Sequence, residues 1–217
     1  SQRERVKLVH GRESFTAALE DFASRGLVPA DLSFQERLSI RSQDNVSICG
    51  WHGPDVRHLY CSRKVLQYPP KTGGGDVVEL LPPPPGVMAQ AQAILAAMEY
   101  DGPFELEFVF DERAGEFKVT ELNPRFWLQH GLIEAVSGCA LAGTYLGRAP
   151  LPVCERDRGL RYWVNPLYTA FRLLKLDPRS LRYYASPKSW KPFSAAEALR
   201  YAADYARRKL LDGRRTS

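Results

Sequence analysis

Two carboxylates, an amide and a guanidinium crowd one short hairpin of this chain. The stretch GEFKVTELNPRFW, residues 115–127, reads as a strand from Phe117 to Leu122 that ends on an acid and runs into Asn-Pro-Arg. Residues two apart in an extended chain share a face, so Glu121 and Asn123 point the same way, with the Arg125 cation two residues on. Upstream, FELEFVFD (104–111) reads as a second strand with Glu105 and Glu107 on one face. The turn Glu112–Gly115 folds the two strands antiparallel, which brings Glu107 near Glu121 and Asn123. Neighbouring carboxylates repel unless a cation sits between them. Mg²⁺ takes hard oxygen ligands and is usually held by one or two carboxylates plus substrate phosphates. Glu107, Glu121 and Asn123 supply such a set, and Arg125 can neutralise a transferring phosphoryl group. Spacing alone fits a solvated acidic hairpin, with Arg125 in a surface ion pair, equally well.

A glycine-rich loop, PPKTGGGD (69–76), is the second feature with chemical potential. Successive N–H groups of Gly73, Gly74 and Gly75, free of Cβ obstruction, can form a nest for phosphate. Arg63, Lys64 and Lys71 flank it. The loop is neither a GxxxxGK[ST] nor a GxGxxG motif, so by itself it is weak evidence. No Ser-His or Cys-His arrangement offers a side-chain nucleophile.

The elements that must position these residues follow from periodicity and punctuation. Residues 14–25 form a helix with a capping serine, Phe15, Leu19 and Phe22 on one face, and Gly26 as its stop. Stretches 32–38, 45–53 and 56–68 read as strands, the last two joined by a turn at Gly53-Pro54-Asp55. After the glycine loop come a short strand, the rigid spacer Pro82–Pro85 and an alanine-rich helix over 86–100. A further helix follows over 127–137. This is an α+β order and not a regular βαβ alternation. In the tail, Asn165-Pro166 caps a helix carrying Leu167, Phe171 and Leu174. Ser194 and Glu197 form a capping box for a helix over 194–211, and the loop between the two exposes aromatics. The apolar line Ala195, Leu199, Ala202, Ala206 and Leu210 must pack somewhere, with Arg200, Arg207 and Arg208 left in solvent.

Charge is unevenly placed. Residues 1–155 hold 15 Lys/Arg against 20 Asp/Glu, and residues 156–217 hold 15 against 5, so the net +5 belongs to the tail alone. A basic tail can bind nucleic acid, but solvated helix faces explain it more simply. Cys49, Cys61, Cys139 and Cys154 show no metal or redox spacing and read as small buried residues of a cytoplasmic protein. The longest apolar stretch, 131–147, is interrupted by Glu134 and does not span a membrane.

FELEFVFDERAGEFKVTELNPRFW strongly resembles the carboxy-terminal metal-binding hairpin of the ATP-grasp superfamily, in which an acid or Gln is followed by a strand ending E-x-N-P-R. RKVLQYPPKTGGG looks like members described as predicted carboligases or carboxylate–amine ligases. The resemblance covers roughly residues 5–150. It implies that Glu107, Glu121 and Asn123 are ligands of Mg²⁺ (or Mn²⁺) and that Arg125 faces the transferred phosphate or the substrate. It further implies that Gln35, Glu36, Arg37 and Leu38 form the hinge holding adenine by backbone contacts, and that Asp44 meets the ribose hydroxyls. Lys64, Lys71, Gly73 and Gly74 fall near the phosphates. Two departures stand out. No strand before Val6 supplies the lysine that grips the α-phosphate, and Lys7 is a poor stand-in, which suggests a fragment inactive by itself. Gln129 stands where biotin carboxylase-like members carry a glutamate base, and His130 is as well read as a structural histidine as a substrate contact.

The expectation is a partial ATP-grasp domain over 1–150 with a basic helical extension over 151–217. Its activity would be a carboxylate–amine ligase, using ATP and Mg²⁺ to activate a small carboxylate for attack by an amine. No membrane or nucleic-acid partner is expected, and a homo-oligomer is compatible with the sequence. The alternative is a non-catalytic nucleotide-binding remnant, or a nucleic-acid-binding protein using the basic tail.

Overall fold

The computed structural model describes residues 7–40, 45–54, 57–68, 74–147 and 159–194, together with residues 196, 197 and 200. The chain divides into two compact units, one up to Leu38 and the other from Ser39 onward.

The first unit is built on helix α1, Gly11–Ser24. The helix begins three residues before the expected Ser14 cap. Ser14 sits inside the first turn, where its Oγ donates to the His10 carbonyl and accepts from the His10 N–H, both at 2.7 Å. Lys7 and Arg25 both pair with Asp21, and Phe15 packs on Phe34. Residues 32–38 are not the strand that their alternation suggests; they run irregularly, with Gln35, Glu36 and Arg37 exposed. A strand needs a partner for its backbone N–H and C=O groups, and among the described residues this stretch has none.

The second unit holds one seven-stranded sheet in the order β5-β4-β1-β2-β3-β6-β7. The strands are β1 (Val46–His52), β2 (Arg57–Tyr68), β3 (Gly74–Leu80), β4 (Gly102–Asp111), β5 (Glu116–Asn123), β6 (Tyr162–Val164) and β7 (Ser189–Trp190). All neighbours run antiparallel except β6 and β7. The hairpins expected at 45–68 and 104–122 are both present.

Each face of the sheet is covered by its own helices. On one face Val46, Ile48, Cys61, Phe104, Leu106 and Phe108 pack against Val87, Ala91 and Leu95 of α2 (Val87–Ala97). The i, i+4, i+8 spacing of those three residues is the stripe a core-facing helix needs. On the other face Cys49, Val78 and Trp163 meet Trp127 and the helices α3 (His130–Ser137) and α4 (Leu141–Tyr145). Cys49, Cys61 and Cys139 are buried, and burial raises the Cys61 pKa to about 11.

The carboxy-terminal stretch adds two short strands to the helices expected of it. β6 and β7 continue the sheet, and the indole of Trp190 lies against α3 so closely that a Cβ on Gly131 would come within 2.5 Å of it. The aromatic loop read at 183–193 is thus partly strand; two or three residues of Tyr, Trp and Val are too short to signal one. Helix α5 (Pro166–Leu174) starts where Asn165-Pro166 places it, the Asn165 Oδ1 accepting from the N–H groups of Leu167 and Tyr168. A short α6 (Leu181–Tyr184) follows. The Ser194–Glu197 capping box is formed, with Glu197 accepting from Ser194 N and Oγ at 2.7 Å. The rest of that helix, with Arg207 and Arg208, lies outside the described residues, and Arg200 is exposed.

Candidate functional site

The register of the β4–β5 hairpin assembles the acidic cluster. Glu107 lies opposite Glu121, and Glu105 lies opposite Asn123. Opposed residues of an antiparallel pair share a face, so all four project on one side of the sheet. A bulge decides this. Phe108 pairs with Val119, so Thr120 is the extra residue between Val119 and Glu121, and its Oγ1 donates to the Glu107 carbonyl. Strict alternation would have left Glu121 on the α2 face with Phe117 and Val119. The bulge turns it to the other side.

Neighbouring strands complete the patch. Ser47 of β1 faces Glu107, and Ser62 of β2 faces Ser47. Lys64 donates to Glu107 Oε1 at 2.8 Å, a half-buried ion pair joining residues 43 positions apart. Glu105 is nearly buried, and burial followed by the Glu107 charge raises its pKa, against the pull of Lys64, Ser47 and Arg125. Arg125 donates to Asn123 Oδ1 at 3.2 Å and to the Phe126 carbonyl at 3.1 Å. Asn45, at the start of β1, has its Oδ1 buried without a hydrogen-bond partner.

Gln129 and the glycine segment approach from the other side. A Cβ on Gly75 would come within 2.6 Å of Val78 Cγ2 and 3.1 Å of Gln129 Nε2, with Lys64 Cγ at 3.8 Å. Only a glycine lets the amide and the lysine stem close around the backbone there. Gln129 is buried, and the His130 Nδ1 lies 2.9 Å from the Trp127 carbonyl.

Of the residues singled out in the sequence, Lys64, Glu107, Glu121, Asn123 and Arg125 come together on one face. Gly74 is exposed at the start of β3. Asp44, Lys71 and Gly73 lie outside the described residues. Gln35, Glu36, Arg37 and Leu38 belong to the first unit. Ser47, Ser62 and Gly75 join the patch as well. Their signal was pairing register, which a sequence does not print.

Glu105, Glu107, Glu121 and Asn123 all offer hard oxygens, the chemistry that suits Mg²⁺. Among the described residues no three His, Cys, Asp or Glu side chains converge to cage a metal unaided. A cation here would take its remaining ligands from phosphate oxygens or water. Nor is any helix among the described residues long and apolar enough to cross a membrane.

Residues 86–148, from α2 through the hairpin to just beyond α4, match the family model described as the carbamoyl-phosphate synthase L chain, ATP binding domain. The ATP-grasp resemblance read from the hairpin is borne out over this segment, which is similar to that ATP-binding domain. Comparison with curated proteins gives no match. Among solved structures, the biotin carboxylase domain of a single-chain bacterial carboxylase is 19% identical with a TM-score of 0.44, covering 70% of this chain and 36% of that one. Pyruvate carboxylase T882A of Rhizobium etli with acetyl coenzyme A is 19% identical at 0.39, covering 65% and 15%. The biotin carboxylase domain of Hydrogenobacter thermophilus 2-oxoglutarate carboxylase, in complex with MgADP, ADP and bicarbonate, is 17% identical at 0.40, covering 57% and 29%. The chain thus spans well under half the length of each.

Proposed function

We propose that this chain is the ATP-binding part of an ATP-grasp ligase that activates a small carboxylate as an acyl phosphate for attack by an amine. The observation that carries the proposal is the register, which sets Glu107 against Glu121 and Glu105 against Asn123 on one face. That pattern gathers oxygen donors from two strands beside one lysine and one arginine, as phosphoryl transfer demands. In the proposed reaction a carboxylate oxygen attacks the γ-phosphorus of ATP and the bond to the ADP oxygen breaks, its electrons leaving with ADP. The amine then adds to the acyl carbon, gives up a proton, and expels phosphate.

Glu107, Glu121 and Asn123 would hold Mg²⁺, which when bound screens the phosphate charge. Lys64 is placed to move from Glu107 to a phosphate oxygen once Glu107 has another cation to face. Arg125 orients the incoming carboxylate and offsets charge on the transferring group. Gln129 has no basic function at neutral pH, so activation of bicarbonate by a carboxylate base at that position is not part of the proposal.

Glu121→Gln tests the assignment. Glu121 is exposed, so its loss should shift stability by less than about 0.5 kcal/mol. Mg²⁺-dependent binding of ADP, followed by isothermal titration, should weaken at least tenfold in the variant, and turnover of the intact enzyme should vanish. Unchanged Mg²⁺-dependent affinity and turnover would remove Glu121 from the metal site.

A further inference from the structure

Arg125 has a second side. Besides joining Asn123 it lines a cavity of about 700 Å³ whose other walls include Trp51, Tyr100, Asp101, Phe126 and Tyr145. That volume is in the range of small-molecule sites, which combine aromatic walls with a few polar groups. The Tyr145 ring sets its edge to both Trp51 and Phe126, with centroids 6.4 Å and 5.5 Å apart, so three rings form one continuous wall. Tyr100 is fixed by its hydroxyl, which donates to the Pro103 carbonyl at 2.7 Å.

The charges of this cavity are not in ion pairs among the described residues. Arg125 donates to neutral oxygens, the Phe126 carbonyl and the Asn123 amide. Neither Arg125 nor Asp101 forms an ion pair among the described residues, with each other or with any third group. A cation and an anion that share a ring-lined cavity without pairing are complementary to a ligand bearing both charges. A carboxylate suits the planar guanidinium fork, and an ammonium suits Asp101 together with the faces of Trp and Tyr rings. The ring wall suits a flat apolar side chain.

We propose that this cavity binds a zwitterion, an amino acid with an aromatic side chain, its carboxylate on Arg125 and its ammonium on Asp101. The inference rests on the ligase reading for its consequence: a carboxylate held by Arg125 lies beside Asn123, at the border of the acidic face, where a phosphoryl group would be offered. The cavity itself requires no nucleotide.

The test uses the 217-residue chain and three matched probes: L-phenylalanine, 3-phenylpropionate (acid only) and 2-phenylethylamine (amine only). Affinities are read by saturation-transfer NMR and by Trp fluorescence, since Trp51 lines the cavity. L-Phenylalanine should bind at least about tenfold more tightly than either half-probe. Arg125→Gln should reduce it to the level of the amine, and Asp101→Asn to the level of the acid. Both side chains are exposed, so melting curves should match the parent. If a variant does not fold, the probe series on the unaltered chain decides alone. Equal affinities for the three probes, or no binding of L-phenylalanine at about 10 mM, overturns the inference. A parallel titration with MgADP separates the two proposals. Phenylalanine binding without nucleotide binding leaves the cavity and sinks the ligase reading, whereas nucleotide binding without preference for the zwitterion does the reverse.

Discussion

Replacing Arg172 by methionine should be among the most damaging single changes in the sheet-bearing unit. Arg172 on α5 is 3% exposed and its partner Asp76 on β3 is 0% exposed. The guanidinium donates to the Asp76 and Asp177 carboxylates and to the Gln67 carbonyl, so one side chain ties α5 to β3 and to the end of β2. The second Asp76 oxygen, Oδ1, has no hydrogen-bond partner, which leaves Arg172 as the cation that compensates a buried charge. Breaking a buried pair by removing one partner costs about 3–5 kcal/mol, because the other charge stays uncompensated. At about 2–4 °C per kcal/mol for a chain of this size, the melting temperature should fall by roughly 6–20 °C. The pH dependence is the sharper check. Burial already raises the Asp76 pKa, against the pull of Arg172, so the ionised carboxyl costs stability above its ordinary range. Without Arg172 the folded-state pKa rises further. The penalty should therefore be largest at neutral pH and should shrink as acid protonates Asp76. Urea unfolding of both chains at neutral pH and near pH 5 measures it. A variant within about 1 kcal/mol of the parent, or a penalty that does not shrink in acid, would refute this account of the pair.

Three further outcomes are expected. Glu105→Gln should hold or raise the melting temperature at neutral pH, since burial and Glu107 raise the Glu105 pKa and make its ionised form costly; the gain should disappear as pH falls below that raised pKa, where the parent carboxyl is protonated too. Deleting residues 159–217 strips β6, β7 and Arg172 from the sheet, so melting should drop or the chain should become insoluble. The full chain should show little affinity for a short RNA at any salt between about 50 and 200 mM. Tight RNA binding that collapses over that range would favour the nucleic-acid alternative.

The hairpin was readable because its information is local. A turn, two runs of β-formers and acids at a spacing of two place Glu105, Glu107, Glu121 and Asn123 without knowledge of distant residues. The choice of face was not local. It depends on the Thr120 bulge, and nothing in VTEL announces an extra residue. Lys64 flanks the glycine loop, and only the resemblance implies its place near the phosphates. Its pairing with Glu107 follows only from β1 sitting between β2 and β4, a matter of strand order. Residues 32–38 show the opposite error, in which alternation promised a strand that finds no partner among the described residues. In the tail, an Asn-Pro cap and a capping box were legible as local hydrogen-bond chemistry. The three-residue strand Tyr162–Val164 became visible only through its register with β3.

Among the described residues β5 is the outermost strand of the sheet on its side, with a strand on one flank only. Such an edge is a template for a second chain, and proteins blunt it with charge and irregularity. Here the blunting agents are Glu116, Lys118 and Glu121 along the strand and the kink at Thr120, with Val119 the exposed apolar residue among them. Glu121, proposed to hold a metal, thus also belongs to the charge that blunts this edge. A variant that neutralises Glu116 and Glu121 together should lose solubility at high concentration before it loses its fold, and a divalent cation that cancels the charge of Glu121 would press the protein in the same direction.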